Sequence, residues 1–181
     1  MSEKPSYLGV LNAIVVAERR GGEILAAWRD ATADAELSAV LNVVAIREQE
    51  HAAAFTKRMC ELGFEVRESP SEEFRQKLEL ARSNAGDAEK FRRVLGYGEQ
   101  RDDDDPLARI FDDQTIDPTT GALLGRFIAE ERDSERRLQA AWRRIAPESE
   151  PRGEEDPALA DIADRIDRLA RTIEELKELR R

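Results

Sequence analysis

LNVVAIREQEHAAAF, residues 41–55, is the stretch that decides the fold. Leu41, Val44, Glu48, His51 and Phe55 recur at steps of three and four, the spacing of one helical face. The face extends back to Leu37 and on to Met59 and Leu62, and it is apolar except at its centre, where Glu48 and His51 stand. His51 is the single histidine of the 181 residues. A Glu-x-x-His step sets a carboxylate and an imidazole about one turn apart on the same side of a helix. Helical bundles hold a metal in their interior with that step. A buried carboxylate without a partner is costly, so this interruption calls for a cation, a proton or a basic side chain.

The preceding segment repeats the pattern. Leu8, Leu11, Val15, Glu18, Gly22, Leu25 and Trp28 form a helical stripe, and Glu18 falls in its middle, where a leucine is expected. A turn near Ala33, between Asp30 and Asp34, makes the two segments an antiparallel hairpin. Residues 18 and 48 are each 15 positions from Ala33, so Glu18 and Glu48 are expected at the same depth, facing each other. Two carboxylates that face in an apolar interior repel unless a proton or cation lies between them. The competing structural reading pairs Glu18 with an arginine, such as Arg19 or Arg47, or sets it on the edge of the stripe.

Further along, Leu124, Phe127, Ile128, Glu131, Leu138, Trp142 and Ile145 form a third stripe, interrupted by Glu131; Ser134 and Glu135 lie one turn on. The alternative for Glu131 is a half-exposed ion pair with Arg132 or Arg136, common and weak on helix surfaces. Between these segments, Phe74, Leu78, Ala81, Ala85, Ala88, Phe91 and Leu95 make a stripe without a glutamate, divisible at Gly86-Asp87 and ended by Gly96-Tyr97-Gly98.

Helical starts and stops bound these elements. Ser69-Pro70, Asp105-Pro106, Asp117-Pro118 and Asp156-Pro157 each offer an N-cap followed by proline at the first helical position, and Glu72 completes a capping box with Ser69. Gly63 is a stop for the second helix. The reading is all-α: helices at about 7–30, 34–62, from Pro70 to Leu95, a short one at 107–111, and Pro118 to about Ile145. These form one bundle domain over residues 1–146, followed by an acidic linker at 147–156 and an amphipathic helix at 157–181. In that last helix Leu159, Ile162, Ile166, Leu169, Ile173 and Leu176 form a heptad seam. The seam fits pairing with a second subunit, a homodimer, somewhat better than packing back on the bundle.

Composition excludes several classes. A net charge of −10 argues against a nucleic-acid partner, which needs a basic face, and suits attraction of cations, although solubility explains it equally well. No apolar run approaches the roughly 20 residues of a membrane span. Residues 1–5 show no apolar signal segment behind a basic start. Cys60 is alone, a helix-face thiol suited to a reducing, cytoplasmic setting. The run Asp102 to Asp105 lacks the alternate spacing and glycine of a calcium loop and reads as a solvated loop.

From Tyr7 to Ile145 the chain resembles the ferritin-like superfamily, in particular its rubrerythrin-like branch. The resemblance rests on Glu18 in Ala17-Glu18-Arg19-Arg20-Gly21-Gly22, on Glu48-x-x-His51 and on Glu131. It implies an antiparallel four-helix bundle around a dinuclear iron or manganese site, each half supplying a lone Glu and a Glu-x-x-His. Glu18, Glu48 and His51 match the first half, and Glu131 matches the glutamate of the second. Where the second motif has histidine, this chain has Ser134, and the second lone glutamate has no counterpart on the third stripe; Glu99 lies beyond the Gly-Tyr-Gly break. Three carboxylates and one imidazole suffice for one divalent cation, with water or Glu135 completing the shell, rather than for a redox pair of irons. The resemblance thus implies metal binding and, in its fullest form, oxidoreductase chemistry on iron, peroxide or dioxygen. The other reading is a metal-free bundle that serves as a scaffold through its C-terminal helix.

Overall fold

The computed structural model describes residues 5–98, 113 and 115–146, all within one compact unit, Met1–Pro147. Among the described residues there are five α-helices and no strand: α1 Leu8–Ala31, α2 Ala35–Glu61, α3 Glu72–Arg82, α4 Asp87–Leu95 and α5 Pro118–Ile145. The short helix expected at 107–111, the aspartate run, the linker and the C-terminal heptad seam lie outside them. No described helix is long and apolar enough to cross a membrane.

The ends of α1, α2 and α5 lie within a residue or two of where the sequence places them. Asp34 caps α2 by accepting hydrogen bonds from the Glu36 and Leu37 amides. At the other end Gly63 takes φ +83°, which lets its amide bond Cys60 O and the Phe64 amide bond Met59 O, closing the last turn. Asp117 caps α5 ahead of Pro118 and accepts from the Thr119 and Thr120 amides. Its other oxygen takes Tyr7 Oη at 2.9 Å and Arg58 Nη2 at 2.9 Å, joining the start of α1 and the end of α2 to the start of α5. Burial works against ionisation of Asp117, but these hydrogen bonds outweigh it and hold the carboxyl well below the usual carboxylate range.

The third helical region departs from expectation. It starts at Glu72, not Pro70, and its cap is Ser71, which accepts from the Phe74 amide; Ser69 is not the cap. The region is split, as Gly86-Asp87 suggests, with α4 beginning at Asp87. Buried Lys90 on α4 donates to the Ala81 carbonyl at 3.0 Å, near the C-terminal end of α3.

Helices α1 and α2 pack along their length; α3 lies on α1, α5 on α2, and α4 touches both α3 and α5. The core falls into two apolar blocks. One contains Ile24, Leu25, Trp28, Leu37, Leu41, Val44, Phe91, Leu138 and Trp142. The other contains Tyr7, Leu11, Val15, Phe55, Met59, Leu124 and Phe127. Each of the long helices α1, α2 and α5 runs from one block to the other, α2 in the opposite sense to α1 and α5. Glu18, Glu48, His51 and Glu131 therefore occupy the layer between the blocks.

Candidate metal centre

Helix α1 presents Glu18, α2 presents Glu48 and His51, and α5 presents Glu130 and Glu131. Glu18 and His51 are buried, 6% and 4% exposed, at the periodic positions where the stripes break. Glu18 Oε2 lies 3.1 Å from His51 Nδ1, and Glu131 Oε1 lies 3.3 Å from the same nitrogen. One N–H cannot align with two carboxylates. Nδ1 donates to Glu18, and the buried Glu131 Oε1 is left without a hydrogen bond among the described residues. One ligand atom each from Glu18, His51 and Glu131 lies within 4.8 Å of the others, a group able to hold a metal ion.

The far side of the imidazole belongs to Glu130. Its Oε2 is 2.7 Å from His51 Nε2, and its Oε1 accepts from Arg126 Nε at 2.9 Å, one turn earlier on α5. A carboxylate on one ring nitrogen fixes the tautomer and turns the other nitrogen toward a metal. The ring edge meets Phe127, centroids 5.0 Å apart, and Phe127 in turn meets Phe55 at 5.3 Å. These rings form the dry wall below the cluster.

Glu48 stands beside the group, against α1. Gly21 and Gly22 make room for it: a Cβ at Gly21 would collide with the Glu48 carboxylate, and one at Gly22 would crowd its Cβ. Glu48 thus crosses α1 about one turn beyond Glu18, and His51, not Glu48, is the residue that faces Glu18; the pairing that equal distance from Ala33 implies is off by one helical turn, although the charge of Glu18 still raises the Glu48 carboxyl.

The electrostatics follow from crowding. Burial pushes the Glu48 carboxyl up to about 9, with Glu18 and Glu131 adding to the rise. Burial also raises Glu18; the hydrogen bond from His51 opposes this and the charge of Glu131 reinforces it. For His51, burial favours the neutral ring, but the carboxylates of Glu131, Glu18 and Glu130 prevail and lift it to about 10. Burial likewise works against ionised Glu130, yet its bonds to His51 and Arg126 hold it below the ordinary range. Glu48, at about 9, keeps its proton at neutral pH, and His51 is neutral when its nitrogen is given to a cation; Glu18, Glu130 and Glu131, counted as carboxylates, then face Arg126 alone, an excess of two negative charges. A divalent cation matches that excess.

Of the arginines offered as alternative partners, Arg19, Arg47 and Arg136 are engaged elsewhere. Arg19 donates to Thr56, and Arg47 pairs with Asp133 at 2.7 Å while donating to Ser134 Oγ at 3.3 Å. Arg136 turns to Asp133. Ser134, where the resemblance would want a second histidine, is buried and taken up by Arg47. Glu135 lies outside the group that converges on His51; it accepts from Tyr97 Oη at 3.1 Å and Gln139 Nε2 at 3.2 Å.

Sequence reasoning missed Glu130 and Arg126. The available signal was the Glu130-Glu131 doublet: an imidazole has two nitrogens, and a histidine buried among carboxylates needs an acceptor for each. No known protein family matches the chain, and neither does any curated protein or solved structure.

Proposed function

We propose that this chain is a ferritin-like metal-binding protein with a reduced site for one divalent cation, iron(II) or manganese(II). The observation that carries the reading is the convergence of Glu18, His51 and Glu131 within 4.8 Å, with Glu131 Oε1 buried and without a hydrogen bond among the described residues. That orphaned oxygen fits a cation better than it fits an apolar core. Glu18 and Glu131 supply charge, and His51 supplies a directional nitrogen. Carboxylates with one imidazole suit manganese or iron. Bound there, such a metal supplies redox chemistry toward peroxide or dioxygen. The residues' own part is to neutralise the cation, to hold the ring through Glu130, and to keep water off through Phe127 and Phe55.

The test is elemental analysis of purified, tag-free protein after anaerobic exposure to iron(II), manganese(II) and zinc(II) and removal of loose metal. One metal per chain is expected, and His51→Ala should lose it while keeping its helical circular dichroism. Two metals per chain, none, or full retention by His51→Ala would overturn the assignment.

A second reading has a specific observation behind it: protonated His51 already bridges Glu18 and Glu130, so the layer holds together without a metal. In that reading the protein is a scaffold that assembles through its C-terminal seam. Deleting residues 157–181 then changes the mass in solution, and an unchanged mass argues against it.

A further inference from the structure

A cleft of about 630 Å³ opens beside the carboxylate layer. That volume is in the range of small-molecule sites, roughly 300–1,000 Å³. Its walls are apolar, built by Ile24, Leu25, Val44, Phe74, Val94 and Leu138, and its acidic lining includes Glu48 and Glu131. Ala17 and Gly21 keep the α1 side of the cleft low.

The basic residues that line it are already engaged. Arg20 pairs with Glu68 at 3.0 Å and donates to the Ser69 carbonyl at 2.5 Å, Lys77 pairs with Glu73 at 2.7 Å, and Arg132 also has partners. An anionic ligand finds no uncommitted cation here. Acceptors, by contrast, are available: Glu48 rests against Gly21 with no basic side chain paired to it among the described residues, and Glu131, whose Oε1 meets His51 at 3.3 Å, is a third exposed and lines the cleft.

We infer that this cleft binds a small amphipathic amine, its ammonium seated at Glu48 and Glu131 and its hydrocarbon body laid along Ile24, Leu25, Val44 and Leu138. An ammonium has three donors and no acceptor, which suits the carboxylate of Glu131 together with the carboxyl of Glu48, whose carbonyl oxygen accepts even when the group is protonated. Buried methylenes then add affinity along the apolar wall, roughly four-fold each. The inference shares Glu131 with the metal reading but rests on the shape and lining of the cleft, which the metal reading does not use.

The experiment is calorimetric titration of full-length protein with butylamine, hexylamine and octylamine, and with hexanol and hexanoate as matched controls. The amines should bind one to one, tightening about four-fold per methylene from butyl to hexyl. Hexanol and hexanoate should bind at least ten-fold more weakly. Equal binding of either control, or no gain from butyl to hexyl, overturns the inference. Ala17→Phe, at an exposed position on the cleft's edge, should abolish hexylamine binding and leave metal stoichiometry unchanged; retained amine binding overturns the location. Intermolecular nuclear Overhauser contacts from hexylamine to the methyls of Ile24, Leu25, Val44 and Leu138 are expected, and binding without them overturns it as well. Metal content measured on a separate, amine-free sample, and amine binding on metal-free protein, separate the two readings. Protein that takes metal and no amine defeats this inference alone, and protein that takes amine and no metal defeats the metal reading alone.

Discussion

Glu130 works on the centre from behind: it reaches His51 Nε2 at 2.7 Å while Nδ1 faces Glu18 and Glu131. Removing it frees the ring to rotate and lowers its basicity. Glu130→Ala should therefore weaken metal binding about 10- to 100-fold with little change in the fold; titration against a competing chelator checks this, and unaltered affinity would mean the contact is incidental. The protonation states give a second prediction. His51 releases its proton near 6.5 when unfolded and near 10 when folded, so between those pH values the native state holds a proton that the unfolded chain has lost. Its stabilising contribution is complete below pH 6.5 and fades as pH rises toward 10. Glu48, lifted from 4.5 to about 9, acts in the same direction, because the folded state again binds the extra proton. Metal-free protein should thus lose thermal stability steadily from pH 6 to 9, and Glu48→Gln should flatten the slope; a Tm that rises over this window would contradict both assignments. Glu18, Glu48, His51 and Glu131 are legible in the sequence because each breaks an apolar stripe at helical spacing. Glu130 is not legible: it flanks its stripe, and only the packing of α5 on α2 brings it to the second ring nitrogen.

Between helices, the joints matter more than the caps. Asp87, first residue of α4, accepts Trp28 Nε1 at 2.7 Å with one oxygen and Thr32 Oγ1 at 2.8 Å with the other. It thereby ties the end of α1 to the start of α4, beneath the contact of Trp28 with Phe91, whose ring centroids are 4.8 Å apart. Trp28 is fully buried, so its N–H has no water to fall back on. Asp87→Ala should cost about 2–3 kcal/mol, a fall in Tm of roughly 5–10 °C, whereas Asp87→Asn, which keeps an acceptor for the indole, should recover about half. Urea unfolding followed by tryptophan fluorescence measures both, and equal losses in the two variants would show that the acceptor is not what counts. This joint could not be read from sequence, since Asp87 is 59 residues from Trp28 and shows locally only as a helix start. Ends of helices were legible where a side chain caps its own turn, as at Asp34 and Asp117, or where glycine must reverse the chain, as at Gly63. The start of α3 was misplaced because Ser69-Pro70 and Ser71-Glu72 offer competing caps. Ser69 instead gives its carbonyl to Arg20, and Ser71 takes the helix.

At the scale of the molecule, two dry blocks clamp a charged layer. Along α1 the order is Leu11 and Val15, then Glu18, then Leu25 and Trp28; along α2 it is Leu41 and Val44, then Glu48 and His51, then Phe55 and Met59; along α5 it is Leu124 and Phe127, then Glu130 and Glu131, then Leu138 and Trp142. The blocks fix the register of all three helices, so the layer's acids cannot escape by sliding without exposing apolar side chains, each worth about 1.5–3 kcal/mol of burial. The layer is consequently held in place while remaining the least favourable part of the interior, because it crowds carboxyl groups that burial resists ionising. A divalent cation bound by Glu18, His51 and Glu131 takes the place of the His51 proton, offsets the carboxylate charge and links α1, α2 and α5 in one contact. Whatever binds the folded chain alone stabilises it by mass action, about 2.7 kcal/mol at a hundred-fold excess over Kd. For a chain of this size that is a rise in Tm of roughly 5–10 °C. Iron(II) or manganese(II) at that excess should produce the rise in the native protein and none in His51→Ala, while magnesium, poorly matched to imidazole, should do little. The rise should also grow from pH 6 to 8, because the cation must displace the proton on His51. A scan of Tm against metal concentration at the two pH values decides it: equal shifts in the native protein and His51→Ala would place the bound metal elsewhere, on the exposed acidic surface and not in the layer between the blocks.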